Sequence, residues 1–274
     1  MAGVAGPVPV RNYRDPDFVR INRLYSRQFD FPLRVDPPSL RYMIATMPRS
    51  GSTLFSLSLW RTGSLGAPME YLNLPNHETN IKSLGKGNLE EYWRQIVARR
   101  TSPNGVFGFK AFVTNLRQAA DASPELLAHT GVDKVIFLTR RDRAAHAVSY
   151  ARAIKTKSWF YGTNEQQAWE YDFSAINRAE RWLVAQERSW EKLFRQLGVV
   201  PFRVVYEDFL EEKGATVNKI LDWLNVPLVP SLFHVPLLKK QSGDNSRAWV
   251  DRYVAEKASR KARRPTDNIR TGGE

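Results

Sequence analysis

Tyr42-Met43-Ile44-Ala45-Thr46-Met47-Pro48-Arg49-Ser50-Gly51-Ser52-Thr53 is the stretch on which the reading of this chain turns. Tyr42 to Thr46 form a short apolar run of the kind buried in a sheet, and it passes directly into the polar segment 48–53. Beyond it, Leu54, Leu57 and Trp60 recur at helical spacing. Strand, polar loop and helix in that order put the loop where doubly wound sheets bind ligands, outside the carboxyl end of a strand and against a helix N-terminus with free N–H groups. Set against the nucleotide-binding pattern G-x-x-x-x-G-K-[ST], residues 46–53 keep the second glycine as Gly51 and the final hydroxyl as Thr53. Thr46 replaces the first glycine and Ser52 the lysine. An NTPase uses that lysine to reach the β/γ-phosphates, so its loss argues against hydrolysis of ATP or GTP. The cation of this loop is Arg49.

Further short apolar runs at Val106 to Phe109, Val135 to Leu138 and Phe202 to Tyr206 read as strands of a parallel sheet. Between them lie helical patterns. Asp142, after Thr139-Arg140-Arg141, is suited to cap a helix through Ala144, Ala147, Val148 and Ala151. Ile176, Ala179, Leu183, Trp190, Leu193, Phe194 and Leu197 hold a helical period that Gly198 ends. Alternation of strands and helices predicts an α/β fold, a P-loop-type parallel sheet flanked by helices on both faces. Residues 1–40 read as a proline-punctuated extension, with a possible amphipathic turn at Phe18, Ile21, Leu24 and Tyr25, and residues 41–254 as one domain. Residues 255–274, with Lys257, Arg260, Lys261, Arg263 and Arg264 ahead of Pro265, read as a basic, flexible tail.

The chain's 274 residues, 42% hydrophobic and 12% aromatic, suffice for a buried core and exclude a disordered polymer. The absence of cysteine removes disulfides, thiolate metal sites and a cysteine nucleophile, and fits the cytoplasm. Met1 to Val10 has no basic region ahead of an apolar one, so no signal peptide is expected, and no apolar run reaches the roughly 18 residues of a membrane span. A formal charge of +13 favours an anionic partner without choosing among nucleic acid, acidic lipid and a phosphorylated small molecule.

The loop Pro48-Arg49-Ser50-Gly51-Ser52-Thr53 resembles the 5′-phosphosulfate loop of sulfotransferases that use 3′-phosphoadenosine 5′-phosphosulfate, PAPS. Further segments are similar to the bacterial trehalose 2-sulfotransferase family, itself similar to the nodulation-factor sulfotransferases. Gly66-Ala67-Pro68-Met69-Glu70-Tyr71 resembles that family's Gly-Glu-Pro-Gln-Glu-Phe. Ser102-Pro103-Asn104-Gly105-Val106-Phe107-Gly108-Phe109-Lys110 resembles its Thr-Pro-Asn-Gly-Val-Trp-Gly-Gly-Lys, and Arg140 to Trp159 its second nucleotide-binding segment. Arg247-Ala248-Trp249-Val250-Asp251-Arg252-Tyr253 matches near the end. Residues 71 to 101 and 155 to 175 diverge from the family pattern.

What the resemblance implies is a PAPS-dependent carbohydrate sulfotransferase, a homodimer acting without metal on a carbohydrate or glycolipid hydroxyl. It assigns the 5′-phosphosulfate to Arg49, Ser50, Gly51, Ser52 and Thr53, and the 3′-phosphate to Arg140 and Ser149. Glu70 aligns with the family's general base, which must take the acceptor's proton. Lys110 matches a family lysine that steadies the sulfonate or orients the acceptor, with a structural salt bridge as its plain alternative. Lys239, Lys240 and Gln241 fall near a C-terminal nucleotide loop, or form a solvated basic patch. Trp159, Phe160 and Tyr161 offer a face for a sugar ring, or core packing. His77, His129, His146 and His234 have no metal-ligand spacing. Two other classes stand beside this one. A P-loop phosphotransferase is opposed by Ser52 and by the lack of a Mg²⁺ carboxylate after Leu138. A basic nucleic-acid-binding protein has the charge but no recognised motif.

Overall fold

Four parallel strands, β1 (Leu40–Ala45), β2 (Val106–Ala111), β3 (Lys134–Thr139) and β4 (Phe202–Val205), pair in the order β2-β1-β3-β4. They belong to a computed structural model that describes residues 26–159, 169–227 and 244–263. The chain divides into two units: Met1–Arg141 with Gln186–Lys239, and Asp142–Ala185 with Lys240–Glu274. The first holds the whole sheet.

Parallel strands in register point paired side chains the same way, so Ile44 shares a face with Lys110 and with Ile136. On that face Tyr42, Ile44, Ile136, Leu138 and Val204 pack against Phe55 and Leu59 of α1 (Ser52–Trp60). Phe209 of α8 (Tyr206–Glu211) and Val217 and Ile220 of α9 (Lys213–Leu224) complete the layer. The opposite face carries Phe107, Phe109 and Phe137. Trp93 of α3 (Leu89–Arg100) meets Phe107 and Phe109 edge-on at 5.5 and 5.2 Å, and Phe194 meets Phe137 at 5.1 Å. Phe194 lies on α7 (Phe173–Leu197). With apolar residues on both sides, the strands are buried between helices, and the fold is the expected α/β, P-loop-type parallel sheet covered on both faces.

Each strand differs from expectation at one end or both, β2 running on to Ala111 and β3 spanning Lys134–Thr139. β1 starts at Leu40 and stops at Ala45, leaving Thr46 to the loop. Among the described residues β4 pairs only with β3, through Val205, and Tyr206, expected in the strand, opens α8 instead. Residues 26–39 of the extension meet α1 and α3: Phe29 is buried against Trp60 of α1 at 4.6 Å, and the Phe31 and Arg34 N–H groups donate to the Arg99 and Ala98 carbonyls of α3. Between α1 and α3 lies α2 (Glu78–Leu84), and α4 (Val113–Ala122) and α5 (Pro124–Ala128) join β2 to β3.

The second unit contains α6 (Arg143–Thr156), the first half of α7 and α10 (Asp244–Ala262). Asp142 caps α6 as expected, its Oδ1 accepting from the Ala145 N–H at 2.8 Å. Ala147, Ala151, Ile176, Ala179 and the fully buried Tyr253 form this unit's core. The boundary drawn at residue 254 falls inside α10, where Lys257 pairs with Glu180 and the Arg260 guanidinium lies 4.2 Å from the Phe173 ring centre.

Candidate active site

At the carboxyl end of β1 the backbone reverses through Arg49 at φ 64 and Gly51 at φ 84, on either side of Ser50. Left-handed positions alternating with ordinary ones turn successive N–H groups into one concavity, an anion-binding arrangement. Gly51 is the N-cap of α1 and has no side chain to satisfy the helix's first N–H groups. A Cβ at residue 51 would stand 2.0 Å from Cε2 of Tyr206, so glycine is required by contact as well as by φ.

Buried hydrogen bonds brace this loop from behind. The Thr46 hydroxyl donates to the Leu138 carbonyl at 2.8 Å, and its oxygen lies 2.7 Å from Ser50 Oγ. Thr46 has one proton and gives it to Leu138, so Ser50 is the donor between the two hydroxyls. The Ser50 hydroxyl is thereby engaged within the protein, and its backbone N–H is the donor it adds to the concavity. The Trp190 indole N–H holds the Thr46 carbonyl at 2.9 Å.

Arg140 leaves the end of β3 and donates to the Arg49 carbonyl at 3.3 Å. Its guanidinium lies 5.7 Å from the Tyr206 ring centre and its Nε 3.5 Å from Glu207 Oε1. Nε is buried without a hydrogen bond in hand, so a half-buried cation stands beside the loop with donor capacity in reserve.

Glu70 and Lys110 meet on the other side of β1. The Lys110 N–H donates to the Met69 carbonyl at 2.8 Å, tying residues 66–70 to β2, and Gly66 at φ 66 permits their close approach to β2. Lys110 Nζ lies 3.6 Å from Glu70 Oε2, with side-chain exposures of 6% and 12%. Burial pulls the Lys110 ammonium below its ordinary 10.5, opposed by the Glu70 carboxylate. Asn73 Nδ2 donates to Glu70 Oε1 at 2.7 Å. Lys110 is registered with Ile44, and the Thr46 N–H bonds to Ala111, so the pair sits at the same sheet edge as the loop. An oriented carboxylate, a buried cation and a loop of converging N–H groups are thereby gathered at the carboxyl ends of β1, β2 and β3.

The family model for Stf0 sulphotransferase matches residues 41–256. The chain belongs to the Stf0 sulphotransferase family. The chain is similar to trehalose 2-sulfotransferases of Mycobacterium tuberculosis, 29% identical over 78% of this chain and 94% of that protein, and of Mycolicibacterium smegmatis, 30% identical over 77% and 93%. Among solved structures, the sulfotransferase domain of the Synechococcus PCC 7002 olefin synthase is 17% identical, with a TM-score of 0.45 over 80% of this chain and 89% of that one. A sulfotransferase from Alicyclobacillus acidocaldarius is 14% identical, with a TM-score of 0.44 over 85% and 98%. The protein is accordingly a sulfotransferase.

Of the residues that the sequence singled out in this Stf0 chain, Arg49, Ser50, Gly51, Ser52, Thr53, Arg140, Glu70 and Lys110 all lie in the first unit at strand ends or in segments bonded to them. Ser149 lies half-buried on α6 of the second unit. Trp159, 40% exposed, packs on Tyr150 at 6.1 Å, and Tyr150 stacks on Trp182 at 4.8 Å. Phe160, Tyr161, Lys239, Lys240, Gln241 and His234 lie outside the described residues. Among those described, no group of three His, Cys, Asp or Glu could hold a metal, and no helix is long and apolar enough to cross a membrane. Sequence reasoning misses Asn73, Trp190, Tyr206 and Glu207. Tyr206 and Glu207 follow a strand directly, as Thr46 and Arg140 do, and that position is the available signal.

Proposed function

We propose that this sulfotransferase moves the sulfonate of PAPS to a hydroxyl of a carbohydrate or glycolipid, with Glu70 as general base. The observation that carries the reading is the Glu70–Lys110 pair, held at the sheet edge that also carries the loop. The acceptor oxygen attacks sulfur in line, the new O–S bond forms, and the bond from sulfur to the bridging phosphate oxygen breaks. The electron pair leaves with the 5′-phosphate of 3′-phosphoadenosine 5′-phosphate, PAP, and the acceptor's proton goes to the Glu70 carboxylate. Arg49 and the N–H groups of Ser50, Gly51, Ser52 and Thr53 meet the charge that grows on the leaving phosphate, so they lower the barrier more than they stabilise the ground state. Lys110 opposes the negative charge of the transferring sulfonate. Sequence resemblance assigns the 3′-phosphate to Arg140 and Ser149. The relatives' name makes trehalose the first acceptor to test, and the same reading carries a cytoplasmic homodimer acting without metal.

Calorimetric titration with PAP, and separately with ADP and magnesium, tests the donor without knowledge of the acceptor. Tight binding of PAP alone is the expected result, followed by mass-spectrometric detection of a sulfated sugar from PAPS and a panel beginning with trehalose. Tight binding of ADP with none of PAP would overturn the reading.

A further inference from the structure

Glu70 is gripped at two atoms by the turn that follows it. Asn73 Nδ2 donates to the carboxylate Oε1 at 2.7 Å, and His77 Nε2 lies 2.8 Å from the Glu70 carbonyl oxygen. His77 ends a 3-10 turn, Leu74–His77, and is 1% exposed, with its ring 6.4 Å from that of Tyr71 and 5.8 Å from that of Tyr92. The Tyr92 hydroxyl ties this layer to the Tyr71 carbonyl at 3.1 Å.

The partners fix the state of the imidazole. A carbonyl has no proton to give, so Nε2 carries one. Nδ1 faces the Asn80 amide nitrogen at 3.3 Å, which only donates, so Nδ1 is bare. Burial and the Arg100 charge also favour the neutral ring. His77 is thus a neutral donor locked onto the Glu70 backbone, while Asn73 occupies one carboxylate oxygen. Oε2 is left facing Lys110 at 3.6 Å, too long for a hydrogen bond.

We propose that Asn73 and His77 are positioning residues that clamp Glu70, one at the carboxylate and one at the backbone, so that Oε2 is the oxygen that receives the acceptor's proton. The inference rests on the reading of Glu70 as the base. Without the clamp, the flexible glutamate side chain closes onto Lys110 as an ordinary ion pair and is lost to the acceptor.

The test measures turnover at saturating PAPS, acceptor KM and PAP affinity in Asn73→Ala, His77→Asn and His77→Gln. Glutamine places an amide N–H where Nε2 stood and asparagine does not. Asn73→Ala and His77→Asn are expected to lower kcat by about 10- to 100-fold, the effect of a misplaced reacting group, with PAP affinity unchanged. His77→Gln is expected to keep most of the wild-type kcat. PAP binding reports that each variant is folded, and Asn73→Ala, which only shortens a half-buried side chain, carries the test if a His77 variant does not fold. Wild-type kcat in Asn73→Ala, or equal losses in His77→Gln and His77→Asn, would overturn the clamp while an inactive Glu70→Gln leaves the base in place. Full activity of Glu70→Gln would instead overturn the base, and the clamp with it.

Discussion

Lys110 Nζ lies 3.6 Å from Glu70 Oε2, and the two side chains shield each other from water at the carboxyl end of β2. A structural ion pair and a catalytic pair predict different losses. If Glu70 takes the acceptor's proton, Glu70→Gln abolishes transfer and leaves PAP affinity intact. Lys110→Met then lowers kcat by about 100-fold or more, the usual cost of removing one preorganised charge-stabilising group. Steady-state kinetics alongside thermal unfolding decide the matter, because a merely structural pair would lower Tm and leave kcat in place.

Gly51 is constrained in two ways and Gly198 in one. Both have positive φ, but a Cβ at Gly198 meets nothing within 4 Å, whereas at Gly51 it collides with Tyr206. Gly198→Ala is expected to cost about 1–2 kcal/mol from the left-handed backbone alone. Gly51→Ala should cost more and should also weaken PAP binding, since relief of the clash moves Tyr206 and with it the Arg140 side chain. Comparable Tm shifts in the two variants would refute the contact argument.

Arg140 braces the Arg49 carbonyl, and its buried Nε faces Glu207 at 3.5 Å. Arg140→Ala is expected to weaken PAP by roughly 10- to 150-fold, the worth of a hydrogen bond to a charged group, about 1.5–3 kcal/mol. Adenosine 5′-phosphate, which lacks the 3′ group, should lose much less. Titration of both ligands into both proteins checks this, and equal losses would remove the 3′-phosphate from Arg140.

Burial holds His77 below its ordinary value of 6.5. Below about pH 6.5 the unfolded chain takes up a proton at His77 that the folded protein refuses, so stability falls with pH until the lowered folded value is reached. Above that window His77 contributes no pH dependence. The difference between the Tm–pH curves of the wild type and His77→Gln isolates this residue from the rest of the protein. A flat difference between pH 6.5 and 4 would show that His77 is not held neutral.

Much of the site is legible in the amino-acid sequence, and the legible parts share a property. Strand, loop and helix at 40–60 are contiguous, as are β3, Arg140 and the Asp142 cap, so their signals lie within a few residues. Tyr206 escapes such a reading because an aromatic residue after a strand looks like more strand. Among the described residues the pairing of β4 with β3 ends at Val205, and Tyr206 opens α8 with its ring against Gly51. Trp190 looks like one more apolar residue in a helical period, yet its indole N–H finds the Thr46 carbonyl across the fold.

By itself, the sequence determined that a polar loop carrying Arg49 lies between a buried strand and a helix, and its family resemblance pointed to Glu70, Lys110 and Arg140 as candidates to act with it. The tertiary structure alone decided how those residues meet. The order β2-β1-β3-β4 sets Lys110 and Arg140 on opposite sides of β1. Return of residues 66–70 onto β2 brings Glu70 to Lys110, and the turn after Glu70 supplies Asn73 and His77 to hold it. Local patterns encode which backbone conformation each segment prefers. Which side chains come within hydrogen-bonding distance depends on strand order and on close packing between segments far apart in the chain, which the periodicity of any one segment does not specify.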